Sequence, residues 1–283
     1  MAPSLPPSSP VRLLKVVRPR TAVRTPVPPS SCPEVSIIIP ARNEEASLGR
    51  CVESLTSQTG VSFEIIVVDD ASTDRTREIA LSFPGVRVIS PQGLPRNFTE
   101  RTFTGKNNAV IAGASEARAP WILFTDADTE HLPGSLARAL AEARTAEADL
   151  LSYSPEQVVG SFTERAVMPV IFAELAARYP LQKVRDENSE VVAANGQYIL
   201  VRRAAYEAVD GHVAVATEIL EDVALARRFR SAGKRVYFRY GGDAVRTRMY
   251  RNWAQLREGW TKNLARLFPH LELLAFLSLA AWL

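Results

Sequence analysis

Between Val35 and Thr125 the chain alternates short runs of β-branched and aromatic residues with stretches of helical spacing, and that alternation leaves few folds open. Val35-Ser36-Ile37-Ile38-Ile39-Pro40 reads as a strand, rich in β-branched residues and ended by proline. Phe63 to Val68, Val86 to Ser90 and Trp121 to Thr125 repeat the theme. Runs this apolar belong to strands buried on both faces. Between them the spacing predicts three helices. One has Asn43 as N-cap and carries Leu48, Val52 and Leu55, one covers Arg75 to Ser82, and one runs from about Lys106 to Ala117. This order builds an α/β fold, a Rossmann-like and mostly parallel central sheet with helices on both faces.

Carboxylates collect where these strands stop. Asp69 and Asp70 follow the second, and Asp126 and Asp128 follow the fourth. On extended backbone, residues two apart point the same way, so Asp126 and Asp128 can face one point in space. Carboxylates held that close repel unless a cation lies between them. The pair therefore reads as a divalent-metal site at the carboxyl edge of a sheet or, on these residues alone, as a solvated acidic loop. No Gly-x-Gly-x-x-Gly follows the first strand and no Gly-Lys-Ser/Thr phosphate loop occurs, which weighs against dehydrogenases and P-loop enzymes.

Beyond Leu150 the pattern is less regular. Asp149 to Tyr153 is a further strand, and 162–179 has helical spacing. Val191 to Ala194 and Tyr198 to Val201 flank Asn195-Gly196-Gln197, and Asn195-Gly196 also reads as a simple hairpin turn. Arg203 to Val209 looks helical, and Glu221-Asp222 opens a helix through Ala232 that Gly233 ends. Arg235 to Tyr240 is a late strand. His131 reads as a loop residue and not a ligand, and His212 as structural or close to a site.

Both ends depart from this pattern. Residues 1–33 are rich in Pro and Ser and carry five basic residues between Arg12 and Arg24 with no acidic one, the composition of a disordered arm. Leu271 to Leu283 is apolar but shorter than the ~20 residues a membrane span needs. With Lys262, Arg266 and His270 beside it, the run suits a membrane surface on its cytoplasmic side. A formal net charge of +3, with both signs interspersed, gives no nucleic-acid-binding patch. Cys32 and Cys51 have neither zinc-ligand spacing nor a disulfide framework, which suits a reducing compartment.

Taken in order, six elements resemble the family-2 glycosyltransferases of the GT-A fold. They are Val35 to Glu45, Val67 to Asp74, Gly105-Lys106-Asn107-Asn108-Ala109, Thr125-Asp126-Ala127-Asp128, Asn195-Gly196-Gln197 and Glu221-Asp222. The resemblance covers roughly residues 34–267 and implies a GT-A domain over 34–245 with membrane-proximal interfacial helices over 246–283. It further implies that Pro40, Ala41, Arg42 and Glu44 lie along the nucleoside of a nucleotide diphosphate sugar. Asp69 or Asp70 would meet the base, uracil if the donor is a UDP-sugar. Lys106 would approach the diphosphate, and Asp126 and Asp128 would hold Mg²⁺ or Mn²⁺. Gly196 and Gln197 would lie against the sugar. Asp222 would be the general base of an inverting hexose transfer, with Glu221 orienting it.

The segment from Arg246 through Trp253 to Asn263 is similar to the membrane-proximal part of bacterial carotenoid- and hopanoid-type members. That similarity implies a lipid-like acceptor and a place on the cytoplasmic face of the bacterial inner membrane, peripheral or anchored through the C-terminal segment. Arg248, Arg251 and Trp260 become candidates for contact with acceptor or diphosphate. The Arg-x-x-x-Trp element of polymerising relatives is only approximated, since Arg248 to Trp253 is one residue longer. Transfer to a polysaccharide or a polyprenyl phosphate, and a scaffold without chemistry, are the rival readings.

Overall fold

In the computed structural model, residues 32–91, 105–159, 189–218 and 220–248 are described, with 165, 168, 173 and 176–186 between them. The central sheet has seven strands: β1 (Val35–Ala41), β2 (Phe63–Asp69), β3 (Val86–Ile89), β4 (Trp121–Thr125), β6 (Leu150–Ser154), β8 (Tyr198–Arg202) and β9 (Val236–Tyr240). Their spatial order is β3-β2-β1-β4-β8-β6-β9. Pairings among β3, β2, β1 and β4 are parallel, as is that of β6 with β9. Only β8 runs the other way, antiparallel to both β4 and β6. A small second sheet joins β5 (Thr129–His131), β10 (Val245–Thr247) and β7 (Glu156–Gln157).

The strands sort their side chains by alternation into two cores. Ile37, Ile39, Val67 and Leu123 enter one layer, against α1 (Leu48–Thr56) and α4 (Ser135–Thr145). Ile38, Ile66, Val68 and Phe124 enter the other, against α3 (Gly105–Ser115) and α7 (Glu221–Ser231). Both faces of the sheet are therefore covered, as the unbroken apolar strands require. Three further helices are short, α2 (Thr76–Leu81), α5 (Leu181–Arg185) and α6 (Arg203–Ala208), and a 3₁₀ turn covers Gly211–Val215.

Three consequences position the site. First, β1 and β2 end level, Ala41 opposite Asp69, so their loops leave the same edge. Second, the chain moves from β1 outward to β3 and then returns to β4 on the other side of β1. The crevice for a ligand opens at such a reversal. Third, the reversed β8 pairs Tyr198 with Thr125, so the turn before β8 lies where β4 ends.

Several sequence expectations shift. Asn43 is not a helix cap: the helix begins at Leu48, and Asn43 sits in the left-handed region at φ 56°. Its side-chain oxygen accepts from the Thr73 N–H at 2.8 Å, and its own N–H donates to Ser72 Oγ at 3.1 Å. Glu44 N–H to Thr76 Oγ1 at 2.7 Å continues a seam that ties the loop after β1 to the loop after β2. These tertiary bonds outcompete the local cap. Residues 191–195 are irregular, and no hairpin forms about Asn195-Gly196 because β8 pairs with β4 and β6 instead. Of the helix expected over 162–179, the described positions 165, 168, 173 and 176–178 are helical.

Gly113 marks the closest approach of α3 to the sheet. A Cβ there would lie 2.3 Å from Ile38 Cγ2 and 2.9 Å from Val68 Cγ2, both on fully buried residues. Gly113→Ala should therefore destabilise the chain by ~1–3 kcal/mol through overpacking, despite the ~1 kcal/mol that alanine adds to helix propensity. Urea denaturation checks this, and an unchanged or raised midpoint contradicts the packing.

Candidate active site

A cavity of about 320 Å³ opens at the carboxyl edge. Pro40, Ala41, Arg42 and Glu44 wall it from β1 and its loop, and Asp70 from the loop after β2. Gly105 and Lys106 enter from the start of α3, and Asp126 and Asp128 from the turn after β4. Arg42 Nη1 lies 3.5 Å from Asp70 Oδ2, a pair largely open to solvent on the arginine side. A Cβ on Gly105 would come within 2.5 Å of Asp70 Oδ2, so a side chain there would push the Asp70 carboxylate aside.

The structure separates the two aspartates that the sequence left interchangeable. Asp70 faces the cavity. Asp69 is buried, its Oδ1 accepting from the Ser72 N–H at 3.2 Å and its Oδ2 lying 3.4 Å from Arg77 Nη1.

Lys106 and four carboxylates form the electrostatic centre. Lys106 Nζ is 2.8 Å from Asp126 Oδ1 and 3.8 Å from Glu221 Oε1. Burial opposes its charge, but Asp126, Glu221 and Asp222 outweigh that and hold the ammonium above the ordinary lysine range. Among the described residues no cation is bonded to Asp128, and only the Lys106 charge and a Thr247 hydrogen bond favour its charged form. Burial first, then Asp126 and Glu44, push its carboxyl up to about 7. Its Oδ1 is buried without a partner among the described residues.

Among those residues, no three His, Cys, Asp or Glu side chains converge as a ready-made metal cage. Magnesium-type ions are commonly held by one or two carboxylates, with substrate phosphates and water completing the shell. Asp126 and the unsatisfied Asp128 fit that donor set.

Beside Lys106, α7 begins with Glu221 and Asp222, which with Gly196 and Gln197 lie outside the residues lining the cavity. Asp222 is fixed at both oxygens: Oδ1 accepts from the Val223 N–H at 2.8 Å and Oδ2 from the Gly196 N–H at 2.9 Å. Burial raises the pKa of Asp222, with these two bonds opposing, and burial likewise raises that of Glu221. A Cβ on Gly196 would stand 3.6 Å from Lys106 Nζ and 3.7 Å from Asp222 Cβ, so any side chain there would project between these groups.

Gln197 turns inward. It is 6% exposed and its Nε2 donates to Thr247 Oγ1 at 3.2 Å, which commits the amide to the protein. Arg248, the last described residue, is exposed just past β10, while Arg251, Trp260 and 92–104 lie outside the described residues.

His131, expected in a loop, lies on β5 and is buried. His212 packs its ring 4.8 Å from that of Phe124 and bonds Tyr206 Oη at 2.9 Å. Burial lowers both imidazoles to about 3, so both stay neutral. Thr125, Thr129 and Thr247, to which the sequence assigns no role of their own, support the acidic turn with buried hydroxyls. No pattern separates such threonines from ordinary strand residues.

Residues 36–210, more than half of the chain, match the family model described as Glycosyl transferase family 2. The chain is 31% identical over 258 residues to the 4,4'-diaponeurosporenoate glycosyltransferase of Staphylococcus haemolyticus, covering 86% of this chain and 65% of that protein. The fold is similar to that of S. aureus TarS, with a TM-score of 0.56 at 19% identity over 76% of this chain and 36% of that one. It is also similar to glucosyl-3-phosphoglycerate synthase from Mycobacterium tuberculosis, solved with Mn²⁺, UDP and phosphoglyceric acid. There the TM-score is 0.53 at 21% identity, over 79% of this chain and 73% of that one. These neighbours place the fold in the GT-A class.

Asp128, Glu221 and Asp222 each bind a proton more tightly in the folded chain than in the unfolded one. The folded state thus holds more protons between the ordinary carboxylate pKa of about 4 and about 7, and stability of the metal-free protein should fall as pH rises across that window. Asp128→Asn should reduce the difference between urea midpoints measured in chelator at about pH 5 and about pH 8. An undiminished difference contradicts the strain assigned to Asp128.

Proposed function

This chain belongs to glycosyl transferase family 2, and from that premise we propose that it moves a hexose from a nucleotide diphosphate sugar to a lipid-like acceptor with inversion. The observation that carries this reading is the Asp222 carboxylate, fixed at both oxygens and close to Lys106, whose Nζ bonds Asp126 in the cavity wall. A UDP-sugar is the donor favoured by the cavity: Pro40 to Glu44 offer a wall for the nucleoside, and Asp70 an acceptor for the base N–H.

Asp126 and Asp128 would hold Mg²⁺ or Mn²⁺, which when bound would neutralise charge on the departing diphosphate. Lys106 supplies a positive charge on the same side and is long enough to follow that charge as it develops. Asp222 takes the proton from an acceptor hydroxyl as its oxygen attacks the anomeric carbon opposite the leaving group. Its two backbone N–H donors fix where its lone pairs point, and its burial lifts its basicity toward neutral pH. Glu221 keeps Lys106 on the diphosphate side by sharing its charge. Gln197 acts through Thr247, holding β10 against the acidic turn.

A lipid-like acceptor is supported by the relative at 31% identity, whose name specifies a carotenoid-type substrate. The basic and aromatic residues from Arg246 to Trp260 suit a bilayer interface. We assign membrane contact to the segment from 246 onward on that composition; among the described residues no helix is long and apolar enough to cross a membrane.

Turnover across UDP-, GDP- and TDP-sugars with long-chain alcohols tests the reaction. UDP-sugars should be consumed only with Mg²⁺ or Mn²⁺, and failure of every nucleotide sugar to bind rejects the reading. Asp222→Asn should lower transfer to a hydroxyl ~10²–10⁴-fold with UDP affinity little changed. A long-chain carboxylate arrives already ionised at neutral pH and should be spared most of that loss. Equal loss with both acceptors argues against Asp222 as base. For the membrane, the full chain should sediment with vesicles containing anionic lipid, and removal of 271–283 should release it.

A further inference from the structure

Under the acidic turn after β4, Thr125, Thr129, His131, Gln197 and Thr247 are all buried. Their hydrogens can be assigned one at a time. Thr129 Oγ1 lies 2.7 Å from the Asp126 carbonyl oxygen, and Thr125 Oγ1 lies 2.8 Å from that of Gln197. A carbonyl only accepts, so each hydroxyl commits its single proton there. Yet both hydroxyl oxygens also meet His131 Nε2, at 3.1 Å from Thr125 and 3.2 Å from Thr129, and they stand 3.0 Å from each other.

With no hydroxyl proton left, these contacts hold together only if Nε2 carries the hydrogen and shares it between the two oxygens. Nδ1 must then be a bare lone pair. It is buried and has no partner among the described residues, so no acceptor is present to hold a proton on Nδ1 instead. The Cys51 thiol, 3.6 Å from Thr129 Oγ1, also lies 3.6 Å from the Asp126 carbonyl oxygen, and neither contact competes with the 2.7 Å bond that takes the Thr129 proton.

The geometry points to His131 as a positioning residue of the transfer site: its Nε2–H joins two threonine hydroxyls that hold the Asp126 carbonyl on one side and the Gln197 carbonyl on the other. Asp126 and Asp128 lie on the first of these turns. The Gly196 N–H that holds Asp222 lies on the second. One neutral imidazole thereby sets the spacing between the diphosphate side and the base side. A side chain that only filled space between β5 and Tyr198, whose ring centroid is 5.6 Å away, would need no such proton. The inference rests on the roles proposed above for Asp126, Asp128 and Asp222.

The test uses the full chain with ¹⁵N-labelled histidine, UDP and Mg²⁺. The His131 signals, identified by their loss in His131→Gln, should show protonation at Nε2 alone, unchanged from about pH 5.5 to about pH 8. A proton on Nδ1, or a ring that titrates in this range, overturns the assignment, and this measurement stands even if a variant fails to fold.

His131→Phe should bind UDP with Mg²⁺ ~10-fold more weakly than the natural protein. His131→Gln, whose amide can present an N–H close to the Nε2 position, should stay within ~3-fold. Equal weakening in both variants, or none in His131→Phe, removes the positioning role while the natural protein's UDP binding survives. If the natural protein itself binds no UDP, the donor reading falls and takes this inference with it.

Discussion

Crowded negative charge withdrawn from water at one edge of a parallel sheet is the constraint on which the rest of this structure depends. Asp126 and Asp128 come from the turn after β4, and Glu221 and Asp222 from a helix almost a hundred residues later. Among them stands Lys106, 2.8 Å from one carboxylate and 3.8 Å from another. Burial lifts the pKa of Asp128, Glu221 and Asp222, so the folded protein works against their charge in the absence of a ligand. Packing elsewhere holds them in place. Such strain at a site is the ordinary cost of having groups ready for a charged substrate.

The scaffold meets that demand through the sheet. Two separate cores grip both faces, and Gly113 lets α3 sit close enough to aim Gly105 and Lys106 at the crevice. The seam from Asn43 and Glu44 to Ser72, Thr73 and Thr76 locks the loops after β1 and β2 to each other. Reversing β8 is the decisive step for the far side of the site. An antiparallel strand begins where its parallel neighbours end, so the Gly196 turn arrives beside Thr125 without any long connection across the edge. The hydroxyls of Thr125 and Thr129, with His131 between them, then join the two turns from beneath.

Much of this is legible in the sequence. The strand at Trp121–Thr125 has the bounds its composition indicates, and the alternation of strands and helices led directly to the covered sheet. Buried parallel strands advertise themselves because both faces must be apolar. The Asn43 cap failed because tertiary hydrogen bonds from the neighbouring loop displaced a local one. Strands β5, β7 and β10 span two or three residues each, too few for any period to register. The inward turn of Gln197 depends on Thr247, fifty residues away, and nothing near either residue encodes it.

By itself, then, the sequence determined the class of fold, the edge at which chemistry collects and the residue types present there. It could do so because side-chain period and strand endings are local properties of the chain. Only the tertiary structure decided which of Asp69 and Asp70 faces the cavity, which amide and carboxylate oxygens are already committed, and which imidazole nitrogen bears the proton. Those are questions of pairing between distant segments, and pairing is settled by packing and by the supply of donors and acceptors, not by sequence spacing.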